Sequence, residues 1–316
     1  MSTTLATYPE YVVDEKAADL MEQMGSKPKF WYSPKGELDG RWLFKAARPE
    51  TGDDWSEKIA AELATLIGLP CAQVELGTYL QARGSISRKF HTEETSLAHG
   101  NEMLSTMIPN YPRPNETSHK QLKVRLHTVE AVFQALEQFQ VGLPEGWGGV
   151  SGIASAADMF TGYLLFDAWI GNTDRHHENW ACVRQTGGVR ALAPSYDHAA
   201  SMGALLRSEE RANRLTTKDK NFAVEAYASK ALSALHATPE NPKPMLTLDA
   251  FRRAAQYRST AARVWLERLA DVSEDAIETV LSRMPERRMS SSDTLFTRRL
   301  LAFNRSKLMN LREDLT

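Results

Sequence analysis

Little in this sequence serves covalent cross-linking or membrane anchorage. Cysteine occurs twice, at Cys71 and Cys182, with no CxxC pair. That excludes a disulfide scaffold and fits a reducing, cytoplasmic setting. No run of about 18 apolar residues exists, so no transmembrane helix is expected. The opening stretch MSTTLATYPEYVVDEK has no basic region followed by an apolar one, so no secretory signal is expected. Neither sign of charge is in excess: 38 Lys and Arg stand against 40 Asp and Glu. Whole-surface attraction to nucleic acid or membrane is therefore not expected, and no direct nucleic-acid binding is predicted. There is no internal repeat and no low-complexity tract, which excludes a solenoid.

What is present is an ordinary globular composition, 42% hydrophobic and 25% charged, over 316 residues. That suffices for one large two-lobed domain or for two domains. PKFWYS and GRWLFKAA read as short aromatic strands separated by the turn-rich PKGELDG. In DDWSEKIAAELATLIGLP, Ile59, Leu63, Leu66 and Ile67 recur at helical spacing, and Gly68 with Pro70 stops the helix. AQVELGTYLQ and GSISRKF read as two strands joined through Ala82, Arg83 and Gly84.

The remainder reads as mainly helical. LKVRLHTVEAVFQALEQF is an amphipathic helix ended by Gly142 and Pro144. SAADMFTGYLLFDAWIG is apolar nearly all round, so it is expected to be buried. ACVRQ and VRALAP flank TGG as a strand, turn and strand. Three helices are expected over 249–270, 274–284 and 294–311, with Pro/Asn-rich connectors at 109–118 and 237–244. The expected fold class is α+β, a two-lobed arrangement. Its small β-rich N-lobe would span 1–90 and its larger helical C-lobe 91–316.

Between the buried helix and the strand pair lies GNTDRHHENW, residues 171–180. Asp174 and Asn179 stand in the spacing D-x-x-x-x-N, and Asp197 follows after the strand pair. Protein kinases use this order. One Asp accepts the proton of the attacking hydroxyl, an Asn five residues later holds Mg²⁺, and a further Asp bridges metal and ATP phosphates. The turn between the strands returns the chain, so two hard oxygen ligands, Asn179 and Asp197, converge on one cation. Upstream, Lys45 on the apolar strand WLFKAA suits the α/β-phosphates, and Glu57 on the following helix suits its orientation. MGSKPKF supplies Gly25, Ser26, Lys27 and Lys29 for phosphate oxygens.

The eukaryotic spelling is absent: no G-x-G-x-x-G, no His-Arg before Asp174, no Phe-Gly after Asp197. Instead the chain resembles the HipA-like kinases, bacterial toxin-type serine/threonine kinases of atypical kinase fold. GSKPK resembles their G-x-x-P-K nucleotide loop, GNTDRHHEN their G-N-x-D-x-H-x-x-N catalytic loop, and YDHA their metal-binding Tyr-Asp. SEKIAAELATLIGLP is similar to their N-lobe helix, ISRKF to their hinge strand, and LLAFNRSKLMNL to a closing helix. The length is that of the compact members. The resemblance implies ATP and Mg²⁺ as cofactors and catalytic-loop roles for Asp174, Asn179 and His176, the histidine as a brace. It also implies nucleotide contacts from the loop, from Lys45 and Glu57, and from the hinge residues Arg88 and Phe90. Relatives of the toxin type modify translation factors and pair with a small DNA-binding antitoxin, and others are secreted effectors. They carry an autophosphorylated serine before the nucleotide loop. Here the matching MEQMG has none, and Ser26, Ser85 and Ser87 are the candidates.

Plainer roles compete. Asp174 and Asn179 also suit the bracing of a turn. Asp54-x-x-Glu57 also reads as a capping box, and Glu62 is a second candidate partner for Lys45. The adjacent histidines His176 and His177 point in different directions and lack HExxH spacing, so a zinc site is not expected. Alternative functions are a nucleotide-binding pseudokinase, a metal-dependent phosphohydrolase using Asp174, His176, His177, Asp197 and His198, and a lipid kinase.

Overall fold

A computed structural model describes residues 6–16, 20–22, 29–112 and 124–314. The chain begins with β1 (Glu10–Val12), β2 (Leu20–Glu22), β3 (Lys29–Tyr32) and β4 (Trp42–Ala46), then helix α1 (Asp53–Leu66). Next come β5 (Val74–Tyr79), β6 (Ala82–Arg88), β7 (Ser96–His99), α2 (Gly100–Met107), α3 (Val129–Gln138) and α4 (Ala156–Ile170). β8 (Ala181–Arg184) and β9 (Arg190–Leu192) precede α5 (Ser208–Thr216), α6 (Val224–Ala228), β10 (Leu232–His236) and β11 (Pro244–Leu246). The chain closes with α7 (Thr247–Tyr257), α8 (Ser259–Ala270), α9 (Glu274–Ser282) and α10 (Ser291–Asp314). Among the described residues no helix is long and apolar enough to cross a membrane.

The first strands form a six-stranded sheet in the order β1-β5-β6-β4-β3-β2. Its two faces follow from strand alternation, because directly paired residues share a face. Phe30, Tyr32, Trp42, Phe44 and Ile86 form an aromatic layer on one face, with Tyr79 packed against it. The opposite face carries Lys29 paired with Lys45, and Ser85 paired with Lys45 from the other side. α1 packs beneath β5 and β6, and its Ile59, Leu63 and Ile67 join the same core as Leu76 and the helical part. At the centre of that part lies α4, buried along nearly its whole length and capped by Ser155, whose hydroxyl accepts from the Asp158 amide.

α1 is fastened to the helical part at both ends. Arg288, between α9 and α10, donates to Asp54, Glu10, the Gly77 carbonyl and Thr78 Oγ1, so one guanidinium grips β1, β5 and α1. At the other end Arg268 Nε donates to the Ile67 carbonyl at 2.6 Å and Trp147 Nε1 to that of Gly68.

Several expectations are corrected. The β5–β6 connection is Leu80–Gln81, not Ala82–Gly84. Tyr79 pairs with Ala82, and both turn residues take positive φ, 47° and 66°. A two-residue hairpin demands that backbone, which sequence reading assigns to Gly or Asn. Of the expected amphipathic helix, residues 122–123 lie outside the described residues and 124–128 are not helical; it begins at Val129, where the Thr128 side chain caps it by accepting from the Ala131 amide. The expected helix over 249–270 is two helices, broken at Arg258, whose backbone leaves the helical region (φ −133°, ψ 54°). The span between the strand pair and these helices also holds α5, α6 and the β10–β11 pair.

Candidate active site

α4 ends on Gly171, whose φ of 64° turns the chain out of the helix, and the polar loop begins there. Asp167, on the last turn of the apolar helix, organises it. Asn172 Nδ2 donates to Asp167 Oδ1 at 2.8 Å, and Arg175 donates to both carboxylate oxygens at 2.8 Å. Arg175 is buried and also donates to the Asn179 carbonyl at 2.7 Å, to Ser195 Oγ at 2.8 Å and to His198 Nε2 at 3.1 Å. Its five acceptors are spread over all three nitrogens, three of them on Nη2, and they tie the loop to the chain returning after β9. Asn179 Nδ2 donates to the Asp174 carbonyl at 2.7 Å, which leaves Oδ1 as the Asn179 donor atom for a cation. The Asp174 amide donates to Asn172 Oδ1 at 3.2 Å, so backbone bonds fix this residue while its carboxylate is half exposed.

The returning chain delivers Asp197. Its φ of 61° is unusual for a residue with a side chain but tolerated by Asp. Tyr196 Oη donates to the Glu178 carbonyl at 2.8 Å, binding the two loops on the other side. Lys45 Nζ lies 3.0 Å from Asp197 Oδ2, joining the sheet to the loop. Burial opposes the Asp197 charge, yet the Lys45 ammonium overcomes it and holds the carboxyl down to about 2. Lys45 is in turn pushed above the usual lysine value, because Asp197 and Glu57 outweigh its own burial.

Glu57 sits behind this pair. Its Oε1 accepts from the His198 amide at 3.0 Å, while Oε2 is buried and has no hydrogen-bond partner among the described residues. Burial raises its carboxyl to about 7, against the pull of the Lys45 charge. Lys45 therefore pairs directly with Asp197, and Glu57 acts on it through the field. The competing assignments resolve by contact. Glu62 is paired with Lys58 at 2.7 Å. The N-cap of α1 is Gly52, and Asp54 is engaged by Arg83 and Arg288, not in a capping box.

The histidines brace the loop. His176 Nδ1 accepts from the Glu178 amide at 3.1 Å. His177 Nδ1 lies 2.8 Å from Tyr111 Oη, and Trp180 Nε1 donates to His127 Nε2 at 3.1 Å. Burial, aided by neighbouring histidines, depresses His177 to about 4 and His127 to about 3. These rings are neutral in the folded chain, so their contribution to stability is whole above about pH 6.5 and is lost as pH falls toward 4 and 3. Glu57 acts in the opposite sense. Its folded value is raised, so its contribution is whole below about 4.5 and is lost as pH rises through 7. In Glu57→Gln, which keeps the acceptor for the His198 amide, unfolding free energy should rise with pH more steeply than in the wild type. The added slope should be about 1.4 kcal/mol per pH unit between pH 4.5 and 7. Urea titrations at half-unit intervals measure this. Parallel curves would mean that Glu57 is ionised throughout.

The structure brings Asp174, Asn179, Asp197, Lys45, Glu57 and His176 into one neighbourhood. Lys29 stands directly across from Lys45 on the same sheet face. Phe90 packs on Tyr196 at 5.6 Å between ring centres. Arg88 lies farther out at the end of β6 and pairs with Asp39 at 2.7 Å. Gly25, Ser26 and Lys27 lie outside the described residues. Of the candidate serines, Ser85 is buried beside Lys45 and Ser87 is half-buried, while Ser26 also lies outside the described residues. Sequence reading missed Arg175, Asp167, Ser195 and the bracing role of His198. A carboxylate in the last turn of an otherwise apolar helix, away from the capping Asp158, was the available signal, since a buried charge needs a partner.

Among the described residues no group of three or more His, Cys, Asp or Glu side chains is placed to hold a metal ion. The Asn179 and Asp197 oxygens fit Mg²⁺, which takes one or two protein oxygens and completes its shell with phosphates and water.

Compared with known proteins, the sequence matches the family described as the HipA-like C-terminal domain over residues 21–281. Among solved structures, the chain is similar to the Helicobacter pylori proinflammatory kinase CtkA, with 17% identity, a TM-score of 0.70 and 98% of each chain covered. It is also similar to HipA of Shewanella oneidensis MR-1, solved with HipB and operator DNA, with 14% identity and a TM-score of 0.56, covering 98% of this chain and 69% of that one. No curated protein matches the sequence. At these identities the likeness carries the fold, a kinase-like α+β architecture with a small sheet-rich part and a helical part.

Proposed function

We propose that this chain, which belongs to the HipA-like C-terminal domain family, is an ATP- and Mg²⁺-dependent protein kinase acting on a serine or threonine hydroxyl. The observation that carries the reading is the Lys45–Asp197 pair, closed at 3.0 Å between sheet and loop beside Asp174 and Asn179. A lysine for phosphates, a carboxylate for a cation and a second carboxylate for a hydroxyl are the parts phosphoryl transfer needs.

In this reading Asp174 accepts the proton of the substrate hydroxyl and orients it. Its half-exposed carboxylate on a backbone-fixed loop suits that task. Lys45 and Lys29 hold phosphate oxygens from the same sheet face. Glu57 supports the Lys45 charge from behind. Asn179 and Asp197 would hold Mg²⁺, which supplies charge neutralisation at the phosphates when bound. Phe90, packed on Tyr196 two residues beyond the end of β6, and Arg88, the last residue of β6, would contact the nucleotide. The engagement of His176, His177 and His198 in loop hydrogen bonds disfavours the phosphohydrolase reading.

The likeness to HipA, solved with HipB as a toxin–antitoxin system, extends the proposal to a toxin-type role with an antitoxin partner, and a translation factor is the proposed substrate class. The test is transfer from γ-labelled ATP by purified protein, to itself and to a cytosolic extract. Label dependent on Mg²⁺ and stable as phosphoserine or phosphothreonine is expected. Nucleotide binding without any transfer would replace this reading with that of a pseudokinase.

A further inference from the structure

In many protein kinases the segment after the metal-binding Asp is ordered by phosphorylation, through new arginine–phosphate pairs. Here that segment is already tied down, and the tie is a carboxylate. Arg211, on α5, is buried, and its Nε donates to Asp293 Oδ1 at 2.6 Å in the first turn of α10. Its Nη1 donates to the carbonyls of Gly203 at 3.0 Å, Ala204 at 3.3 Å and Leu206 at 2.5 Å, where the chain leaves the Asp197 loop. The guanidinium also lies 5.4 Å from the ring centre of Trp55, two residues before Glu57 on α1. The Ala204 carbonyl accepts from the Gly52 amide at the start of α1 at 2.8 Å. One cation thus sets the mutual placement of α1, the segment and α10.

Asp293 is equipped to hold it. Ser208 Oγ donates to Asp293 Oδ1 at 2.8 Å and the Ser290 amide to Oδ2 at 3.1 Å. Burial opposes its charge, but Arg211 and these donors keep the carboxyl below its usual range. Packing points the same way. A Cβ on Gly203 would fall 2.5 Å from Phe296 of α10, and Phe296 and Leu300 pack against Val224 and Ala228 farther along.

We infer that the Asp293 carboxylate takes the place of an activating phosphate, holding residues 203–216 ordered through Arg211 without covalent modification. Arg211 is then a positioning residue, and the inference rests on the kinase reading above for its effect on turnover. The full chain is treated with a broad-specificity phosphatase, shown by intact mass to be unmodified, and compared with Asp293→Asn and Asp293→Glu. Amide hydrogen exchange over 203–216 and steady-state transfer from ATP are both measured.

Stripped wild type should keep slow exchange and full turnover. Asp293→Asn should speed exchange in that segment and lower kcat on the order of 100-fold, with KM for ATP little changed. Asp293→Glu should recover most of both. The inference is overturned if stripped wild type loses protection or turnover, or if Asp293→Asn leaves the segment protected. It is equally overturned if exchange in that variant rises throughout the chain, as for an aspartate that only supports the fold. Should Asp293→Asn not fold, the phosphatase comparison decides alone. A wild type inactive from the outset, with 203–216 protected and the Asn variant unprotected there, counts against the kinase reading and not against this lock.

Discussion

Asp174→Asn is expected to lower phosphoryl transfer about 10²- to 10⁴-fold, the usual contribution of a positioned general base, while leaving the fold intact. The two halves of this expectation have separate causes. The loop is held through atoms the substitution does not touch. The Asp174 carbonyl accepts from Asn179 Nδ2 and the His176 amide, and its own amide donates to Asn172. In the proposed reading the carboxylate takes the hydroxyl proton, and an amide of the same shape accepts no proton at neutral pH. Thermal unfolding should therefore shift by no more than a degree or two, and ATP should still bind through Lys45 and Asp197. Transfer assays with saturating ATP, beside nucleotide titration and a melting curve, measure all three. Transfer within a few-fold of wild type would remove Asp174 from the reaction.

The second large effect concerns stability. Arg175→Met should cost about 3–5 kcal/mol, because it strands the Asp167 carboxylate in the core with Asn172 as its remaining polar side-chain partner. The same change releases the Asn179 carbonyl, Ser195 and His198, each bonded to that guanidinium. Adding Asp167→Leu should return much of the loss, since an apolar pair of similar volume replaces a buried ion pair at little net cost. Urea denaturation of the two variants measures this. A single-variant loss below about 1 kcal/mol would show that water reaches Asp167.

These residues mark the limit of what sequence reading reached. The order Lys45, Glu57, Asp174, Asn179, Asp197 was legible because each position is tied to local patterns: an apolar strand, a helical period, a loop after a buried helix, a strand pair. The family and the kinase-like fold that this order suggested are shown, and the roles of these residues belong to the proposal above. The bracing was not legible in the same way. Arg175 and Asp167 are eight residues apart, yet nothing local says that the arginine turns inward. Arg288 meets Asp54 across 234 positions, a pairing that neither periodicity nor turn chemistry encodes. The Leu80–Gln81 turn was missed because its residues are not those that positive φ favours, and the break at Arg258 because it contains neither Gly nor Pro. β1 and β2, at three residues each, are too short for alternation to register.

The grip of Arg288 on the sheet also governs when the protein can finish folding. Its bond to Glu10 spans 278 residues, so β1, although paired with β5, is not joined to the α9–α10 connection until the ribosome has released that segment. Until then the nascent chain holds its six-stranded sheet without the arginine that joins it to α1 and the helical part. If the proposed activity is present, that order of events delays it until Arg288 has left the ribosome.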